Sequence, residues 1–144
     1  IDALVDIVKF YGRGCLLFKR DLRKAYRQIP IDPGDYICLG YRWTGHLFCD
    51  KVLAMGMRSA CQACQRVTNS VRYAFNRIGY RLVNYIDDFA GGGENVQHAY
   101  EAYEYLGMLL QVLGLQESVS KAVPPDTKLM FLDVMFDTES CTES

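Results

Sequence analysis

Hydrophobic positions recur along this chain with two different periods. In three stretches apolar residues return every three or four positions, as on the buried face of an amphipathic helix. These stretches lie at residues 2–11, 60–78 and 96–113. Gly12, Gly79 and Gly114 follow them, and glycine is favoured directly after a helix because it tolerates the left-handed conformation. The pattern predicts three helices, with Ser59 as the N-cap of the second.

Shorter segments rich in β-branched and aromatic residues predict strands between the helices. Strands are predicted at residues 15–22, 37–43, 46–51 and 128–136, with a hairpin over residues 79–93. Thr44-Gly45 and Pro124-Pro125-Asp126 predict turns. With 144 residues, half of them hydrophobic, the chain is long enough for one domain with a core of its own. The order of elements predicts an α+β fold, in which an antiparallel sheet carries helices packed on one face.

The predicted hairpin carries two acidic residues at its tip, Asp87 and Asp88. Adjacent carboxylates repel each other, and oxygen ligands of this kind suit Mg²⁺ or Mn²⁺. A third carboxylate, Asp21, stands where the apolar run at residues 15–22 ends in charge. Three carboxylates can hold two divalent ions for phosphoryl transfer. The sequence therefore predicts a metal site at these aspartates, and a solvated Asp-Asp turn is the alternative.

Charge is distributed unevenly along the chain, although the net charge is only -1. Residues 1–93 carry 14 Lys and Arg against 8 Asp and Glu, whereas residues 94–144 carry 2 against 9. A basic front half that also holds the acidic hairpin suggests an anionic partner, such as a nucleic acid or a nucleotide, near a metal site. Neutralisation of one half by the other across the fold is the alternative.

Six cysteines lie mostly in apolar surroundings, without a secretory signal or an apolar run long enough to span a membrane. We therefore expect reduced thiols in an intracellular protein with no membrane partner. Cys61-x-x-Cys64 has no second pair and no His at ligand spacing, which disfavours zinc. The chain does not begin with Met and ends among small polar residues, so we expect a piece of a longer protein.

Two motifs resemble those of reverse transcriptases. The first is Asp21-Leu22-Arg23-Lys24-Ala25-Tyr26-Arg27-Gln28-Ile29-Pro30-Ile31, with an aromatic five residues after the aspartate and a Gln-Ile-Pro-Ile tail. The second is Tyr85-Ile86-Asp87-Asp88, which is similar to the family's Tyr-x-Asp-Asp motif. The resemblance covers nearly the whole chain. It implies a single polymerase palm domain over residues 1–144, with part of the fingers and an RRM-like or ferredoxin-like core.

The resemblance also implies an activity. It is RNA-directed DNA synthesis, in which a deoxynucleoside triphosphate is joined to a primer 3′-hydroxyl on an RNA or DNA template with two Mg²⁺ or Mn²⁺ ions. The implied metal ligands are Asp21, Asp87, Asp88 and the backbone carbonyl of Leu22. The implied nucleotide-binding residues are Leu22, Lys24, Ala25, Tyr26, Met55 and Gly56. Lys121 is the implied proton donor to the pyrophosphate, with a surface lysine as the alternative.

Three residues depart from the family pattern, and these departures bear on which subfamily the chain resembles. Cys61 stands where proline is usual, Met55 where phenylalanine or glutamine is usual, and Asp133 where glycine is usual. The motifs look most like those of retrotransposon enzymes, including DIRS-type elements. The remaining fingers, the thumb and an RNase H region are then expected elsewhere in the parent protein. Two rival interpretations remain: a nucleotide cyclase, and a domesticated, catalytically inactive nucleic-acid-binding domain.

Overall fold

The computed structural model describes residues 2–54 and 60–143. Within them the helices are α1 (Asp2–Tyr11), α2 (Ala60–Asn76) and α3 (Val96–Val112). The strands are β1 (Leu16–Asp21), β2 (Gly40–Trp43), β3 (His46–Cys49), β4 (Leu82–Tyr85), β5 (Asp88–Gly93), β6 (Val123–Asp126), β7 (Lys128–Phe131), β8 (Val134–Asp137) and β9 (Thr142–Glu143). Short 3-10 helices lie at Ala25–Gln28, Pro33–Leu39 and Val119–Lys121. The predicted N-cap Ser59 lies outside the described residues.

The central sheet has four antiparallel strands in the order β4-β5-β1-β6. Chain order through it is β1, α2, β4, β5, α3, β6, the β-α-β-β-α-β pattern of ferredoxin-like folds. Strand β1 therefore lies in the middle, between β5 and β6. The predicted α+β class with an antiparallel sheet is confirmed.

Two core clusters cover the two faces of this sheet. On one face α2 and α3 pack through residues such as Phe75 and Leu106 against Phe18 of β1, so the prediction that helices pack on one face is confirmed for the two long helices. On the other face α1 and the β7–β8 hairpin pack against Leu17 of the same strand. The end of β1 that carries Asp21 lies beyond this second cluster. Leu17 and Phe18 point to opposite faces because side chains alternate along a strand.

Three glycines in β5 allow close approach on both faces. A Cβ atom at Gly91 would lie 2.7 Å from Cζ of Phe18, and one at Gly93 would overlap the backbone of Ala99 in α3. Helix α3 can therefore lie directly against the strand that begins with Asp88.

Three sequence predictions need correction. Pro124-Pro125-Asp126 belongs to strand β6 rather than to a turn. Proline has no amide hydrogen to donate, but β6 is an edge strand, and the outer side of an edge strand has no neighbouring strand that needs a donor. The single strand predicted at residues 128–136 is a hairpin, since Leu132 and Asp133 both adopt left-handed backbone conformations. The strand predicted from residue 37 begins at Gly40, because Asp32 and Pro33 start a 3-10 helix.

Strands β2 and β3 form a separate hairpin in which every residue is exposed. Its most exposed apolar side chains are Leu47 and Trp43, at 76% and 68%. Of the helices in the described part of the chain, none is long and apolar enough to cross a membrane.

Candidate active site at the β4–β5 turn

The structure brings the three predicted aspartates together. Asp21 is the last residue of β1 and lies directly opposite Asp88, the first residue of β5. Asp87 is the preceding turn residue, and its carbonyl accepts a hydrogen bond from the Leu22 amide at 2.8 Å. The antiparallel pairing of β1 with β5 thus places the acidic residues of both motifs at one edge of the sheet.

The carboxylates lie in a partly desolvated environment. Asp21 is only 4% exposed, and its Oδ1 makes no hydrogen bond to any described residue. Burial, a hydrogen bond to the Asp21 carboxyl group and the charge of Asp21 raise the pKa of Asp88 to about 6. Burial and the charge of Asp88 also raise the pKa of Asp87. Both shifts show that the folded protein disfavours three charged carboxylates together without a cation.

Two lysines partly compensate this charge. Lys19 Nζ lies 3.5 Å from Asp21 Oδ1. The charges of Lys19 and Lys121 both lower the pKa values of Asp87 and Asp88. Lys121, exposed in the last 3-10 helix, is therefore within electrostatic reach of the carboxylates. Lys19 was not predicted from the sequence.

The turn between β4 and β5 has a strained backbone. Tyr85 pairs with Asp88, so only Ile86 and Asp87 form the loop. Ile86 has φ 52°, a left-handed conformation that is unfavourable for a β-branched residue. Such a conformation persists only where surrounding contacts hold it.

Helix α2 supplies these contacts. Gln65 Oε1 accepts a hydrogen bond from the Ile86 amide at 2.8 Å, and Cys64 Sγ donates to the Ile86 carbonyl at 3.8 Å. Gln65 Nε2 donates to Asn69 Oδ1 at 2.9 Å, which also accepts from Asn84 Nδ2 at 2.9 Å. Gln65 and Cys64 of α2 therefore clamp the acidic turn through the amide and the carbonyl of Ile86.

This clamp was missed from the sequence. Gln65 and Asn69 are four residues apart, a spacing that places two side chains together on one helix face. The spacing was visible, but it also fits an ordinary solvated helix face. Only the packing of α2 across β4 identifies the turn as its partner.

Tyr26 lies beside the same helix. Burial, followed by a hydrogen bond with Cys61, raises the pKa of the Tyr26 hydroxyl, and the charge of Asp87 acts in the same direction. The structure therefore places Tyr26 between the start of α2 and the acidic turn.

The loop after Asp21 is held in a defined conformation. Lys24 is left-handed, with φ 46°, and the 3-10 helix of Ala25 begins directly after it. Gln28 Nε2 donates to the Gln116 carbonyl at 2.9 Å, and Gln28 Oε1 accepts from the Gln116 amide at 2.6 Å. Gln28 thereby ties this loop to the segment that leads to Lys121. The predicted residues Met55 and Gly56 lie outside the described residues.

The residues present fit a hard divalent cation in their chemistry, but their geometry is incomplete. In residues 2–54 and 60–143, no group of three His, Cys, Asp or Glu side chains is arranged to hold a metal ion. Three carboxylates are nevertheless neighbours, and Asp21 Oδ1 is a buried acceptor without a hydrogen bond from the described residues. An unsatisfied buried carboxylate oxygen is costly, and such an oxygen is a suitable ligand for a divalent cation.

Solved structures with the same fold are numerous. The foamy viral protease-reverse transcriptase in complex with an RNA/DNA hybrid matches with a TM-score of 0.77 at 18% identity, over 92% of this chain. The chain has a reverse-transcriptase-like fold. The foamy viral protease-reverse transcriptase dRH in complex with double-stranded DNA matches with a TM-score of 0.80 at 16% identity over 94% of the chain.

The match to the native prototype foamy virus enzyme covers 98% of the chain, with a TM-score of 0.76 and 17% identity. This chain spans about a fifth of the length of these viral enzymes: 18%, 23% and 19% in the three structures. No protein-family model matches the sequence, and no curated protein sequence matches it. In these comparisons the similarity is therefore one of fold.

Proposed function

We propose that this chain is the palm part of an RNA-directed DNA polymerase that transfers a nucleotide from a deoxynucleoside triphosphate to a primer 3′-hydroxyl. The observation that carries the proposal is the pairing of Asp21 with Asp88 across β1 and β5, with Asp87 in the adjoining turn. The reverse-transcriptase-like fold supports it, as does the binding of an RNA/DNA hybrid and of double-stranded DNA by the viral enzymes with this fold.

Asp21, Asp87 and Asp88 would hold Mg²⁺ or Mn²⁺, with the Leu22 carbonyl as a further ligand. Bound divalent ions would supply activation of the primer hydroxyl and charge neutralisation of the triphosphate. The chain's own contribution is a rigid frame. Its clamp from α2 holds the acidic turn, and low exposure at Asp21 reduces the water that competes for its oxygens.

The triphosphate would lie over the loop that follows Asp21. The amides of Lys24 and Ala25 lie at the start of the 3-10 helix that follows Asp21, and backbone amides in such a turn can bind phosphate oxygens. Lys121 would donate the proton to the leaving pyrophosphate, and its electrostatic effect on Asp87 is compatible with that role. Met55 and Gly56 would contact the template and the nucleotide.

Tyr26 would lie against the sugar of the incoming nucleotide and leave no room for a 2′-hydroxyl. We expect Tyr26→Ala to admit ribonucleotides, whereas Tyr26→Phe keeps discrimination because the ring remains. Primer extension with paired deoxyribonucleotides and ribonucleotides measures the selectivity. Unchanged selectivity in an active Tyr26→Ala protein would remove this role.

The parent protein would be that of a retrotransposon, of the DIRS type, and would supply the rest of the fingers, the thumb and an RNase H region. A second candidate, an inactive nucleic-acid-binding domain, is favoured by one observation. The described part of the chain holds no ready group of three metal-binding side chains.

Primer extension on RNA and DNA templates with Mg²⁺ and Mn²⁺ decides between them. It should use this chain and the longest protein that contains it. Asp87→Asn should reduce extension by about a thousandfold, because removal of a metal ligand costs several kcal/mol of transition-state stabilisation. Asp35→Asn is the matched control, since Asp35 is an exposed aspartate in the 3-10 helix Pro33–Leu39. Binding of primer and template without any extension would favour the second candidate, an inactive nucleic-acid-binding domain.

A further inference from the structure

Lys19 occupies an unusual position for a charged side chain. It lies in the middle of β1, a strand with a neighbour on either side, and its backbone partners are Ala90 of β5 and Val123 of β6. Its side chain is only 20% exposed. A partly buried charge in a central strand is costly unless an opposite charge neutralises it.

The opposite charge is Asp21, two residues further along the same strand. Side chains two residues apart lie on the same face of a strand, and Lys19 Nζ is 3.5 Å from Asp21 Oδ1. This oxygen is buried and receives no hydrogen bond from the described residues. Its described cationic contact is therefore the Lys19 ammonium group.

Other charged groups face the same place. Lys19 acts electrostatically on Asp87 and Asp88, and so does Lys121. Lys121 is exposed, however, whereas Lys19 is largely enclosed by the sheet. Of these two lysines, Lys19 is therefore the one that the fold holds against the carboxylates.

We propose that Lys19 is a built-in counter-cation, which neutralises Asp21 in the metal-free protein and competes with a divalent cation for that carboxylate. The inference rests on the proposed function, because the competing cation is the one that the polymerase reaction needs. It goes further by giving this chain's own residue control over how tightly the metal binds. Lys19 is a positioning residue rather than a catalytic one, since it acts through Asp21.

The competition has a measurable consequence. Replacing Lys19 with methionine removes one positive charge a few ångströms from the site while keeping an unbranched side chain. We expect Mn²⁺ to bind about tenfold more tightly to Lys19→Met, because a unit charge at this distance in a partly buried site changes binding by roughly one order of magnitude. Lys19→Arg keeps the charge and should keep the wild-type affinity.

Mn²⁺ itself is the probe, and the signal of the free ion in electron paramagnetic resonance measures its binding without any enzymatic readout. Lys9→Met is the matched control, because Lys9 is an exposed lysine at the end of α1. Equal affinities in wild type, Lys9→Met and Lys19→Met would overturn the inference while leaving the metal site intact. Asp21→Asn should abolish the effect of Lys19→Met.

A second measurement needs no metal. Urea unfolding in the presence of a chelator, for wild type, Lys19→Met, Asp21→Asn and the double variant, gives the coupling between the two side chains. A favourable coupling supports the inference, and its absence overturns it. Failure of every variant to bind Mn²⁺ would reject the proposed function, and with it the competition. Binding by Lys19→Met but not by wild type would support both.

Discussion

Two β-hairpins in this protein have the same backbone plan and very different surroundings. In β2–β3 the last pair is Trp43 with His46, and in β4–β5 it is Tyr85 with Asp88, so each has a two-residue turn. The first turn residue is left-handed in both, with φ 50° at Thr44 and 52° at Ile86. The two turns therefore share the conformation of their first residue, but Gly45 is left-handed and Asp87 is not.

The difference lies in what holds each turn. The β2–β3 turn continues with Gly45, which accepts φ 79° without strain, and every residue of its strands is exposed. The β4–β5 turn continues with Asp87 instead, and its peptide groups are bonded by α2. A turn that must display a carboxylate cannot rely on glycine, so its conformation is fixed from outside.

The largest expected effect is a difference in reactivity between Cys64, which lies in α2 against the β4–β5 turn, and Cys49 of the β2–β3 hairpin. Burial, followed by the charge of Asp87, raises the pKa of Cys64 to about 11, whereas Cys49 in β3 is exposed. Because the thiolate is the reactive form, we expect Cys64 to be alkylated about a hundredfold more slowly than Cys49. Timed alkylation with peptide mass spectrometry measures both. Similar rates would show that α2 does not seal the turn.

Removing the hydrogen bond from Ile86 to Gln65 should have the next largest effect, a decrease in the stability of the folded protein. Gln65→Leu leaves the Ile86 amide without its acceptor, so we expect a loss of about 1–3 kcal/mol in the free energy of unfolding. Gln62→Leu, on the exposed side of the same helix, is the control and should change stability little. Urea denaturation compares the two. Equal effects would mean that the bond from Gln65 does not support the turn.

The acidic turn should also make stability depend on pH. Burial and the neighbouring Asp21 raise the pKa of Asp88 to about 6, and an unfolded aspartate titrates at about 3.9. The folded protein therefore binds this proton more tightly, and the metal-free protein loses stability as the pH rises from about 4 to about 6.

Asp88→Asn removes that loss. After allowance for solvent screening, the metal-free variant should be more stable than wild type by about 1–2 kcal/mol at about pH 7.5 and nearly equal to it at about pH 4. Urea unfolding with a chelator at both pH values tests this, with Asp35→Asn as the control. An advantage of the same size at both pH values would contradict it. Added Mg²⁺ should then reverse the order by stabilising wild type.

The smallest expected effect lies in the exposed hairpin. Asparagine tolerates the left-handed conformation better than threonine, so Thr44→Asn should stabilise the β2–β3 turn by about 0.5–1 kcal/mol. Hydrogen exchange of the hairpin amides should slow by about two- to fivefold. Ile86→Asn should instead destabilise its hairpin, because Ile86 packs against the first core cluster. Stabilisation by both changes would show that the turns are equivalent.

Local patterns predicted most elements well. Helix α1 begins and ends where apolar spacing and Gly12 place it, and α3 ends at Val112 with left-handed Gly114 two residues later. The β7–β8 hairpin was missed, since Leu132, the first residue of its turn, is not of a type that favours a left-handed conformation. Strand β6 was missed because prolines suggest turns, and only its edge position in the sheet makes them acceptable.

The sequence by itself determined the amphipathic helices, the buried run of β1 and the acidic residues of both motifs, because these follow from side-chain type and spacing along the chain. Only the tertiary structure decided which groups meet. It paired Asp21 with Asp88, turned Gln65 toward Ile86 and placed Lys19 beside Asp21. Such contacts depend on strand register and on helix packing across the sheet, which connect residues far apart in sequence and leave no local periodic signal.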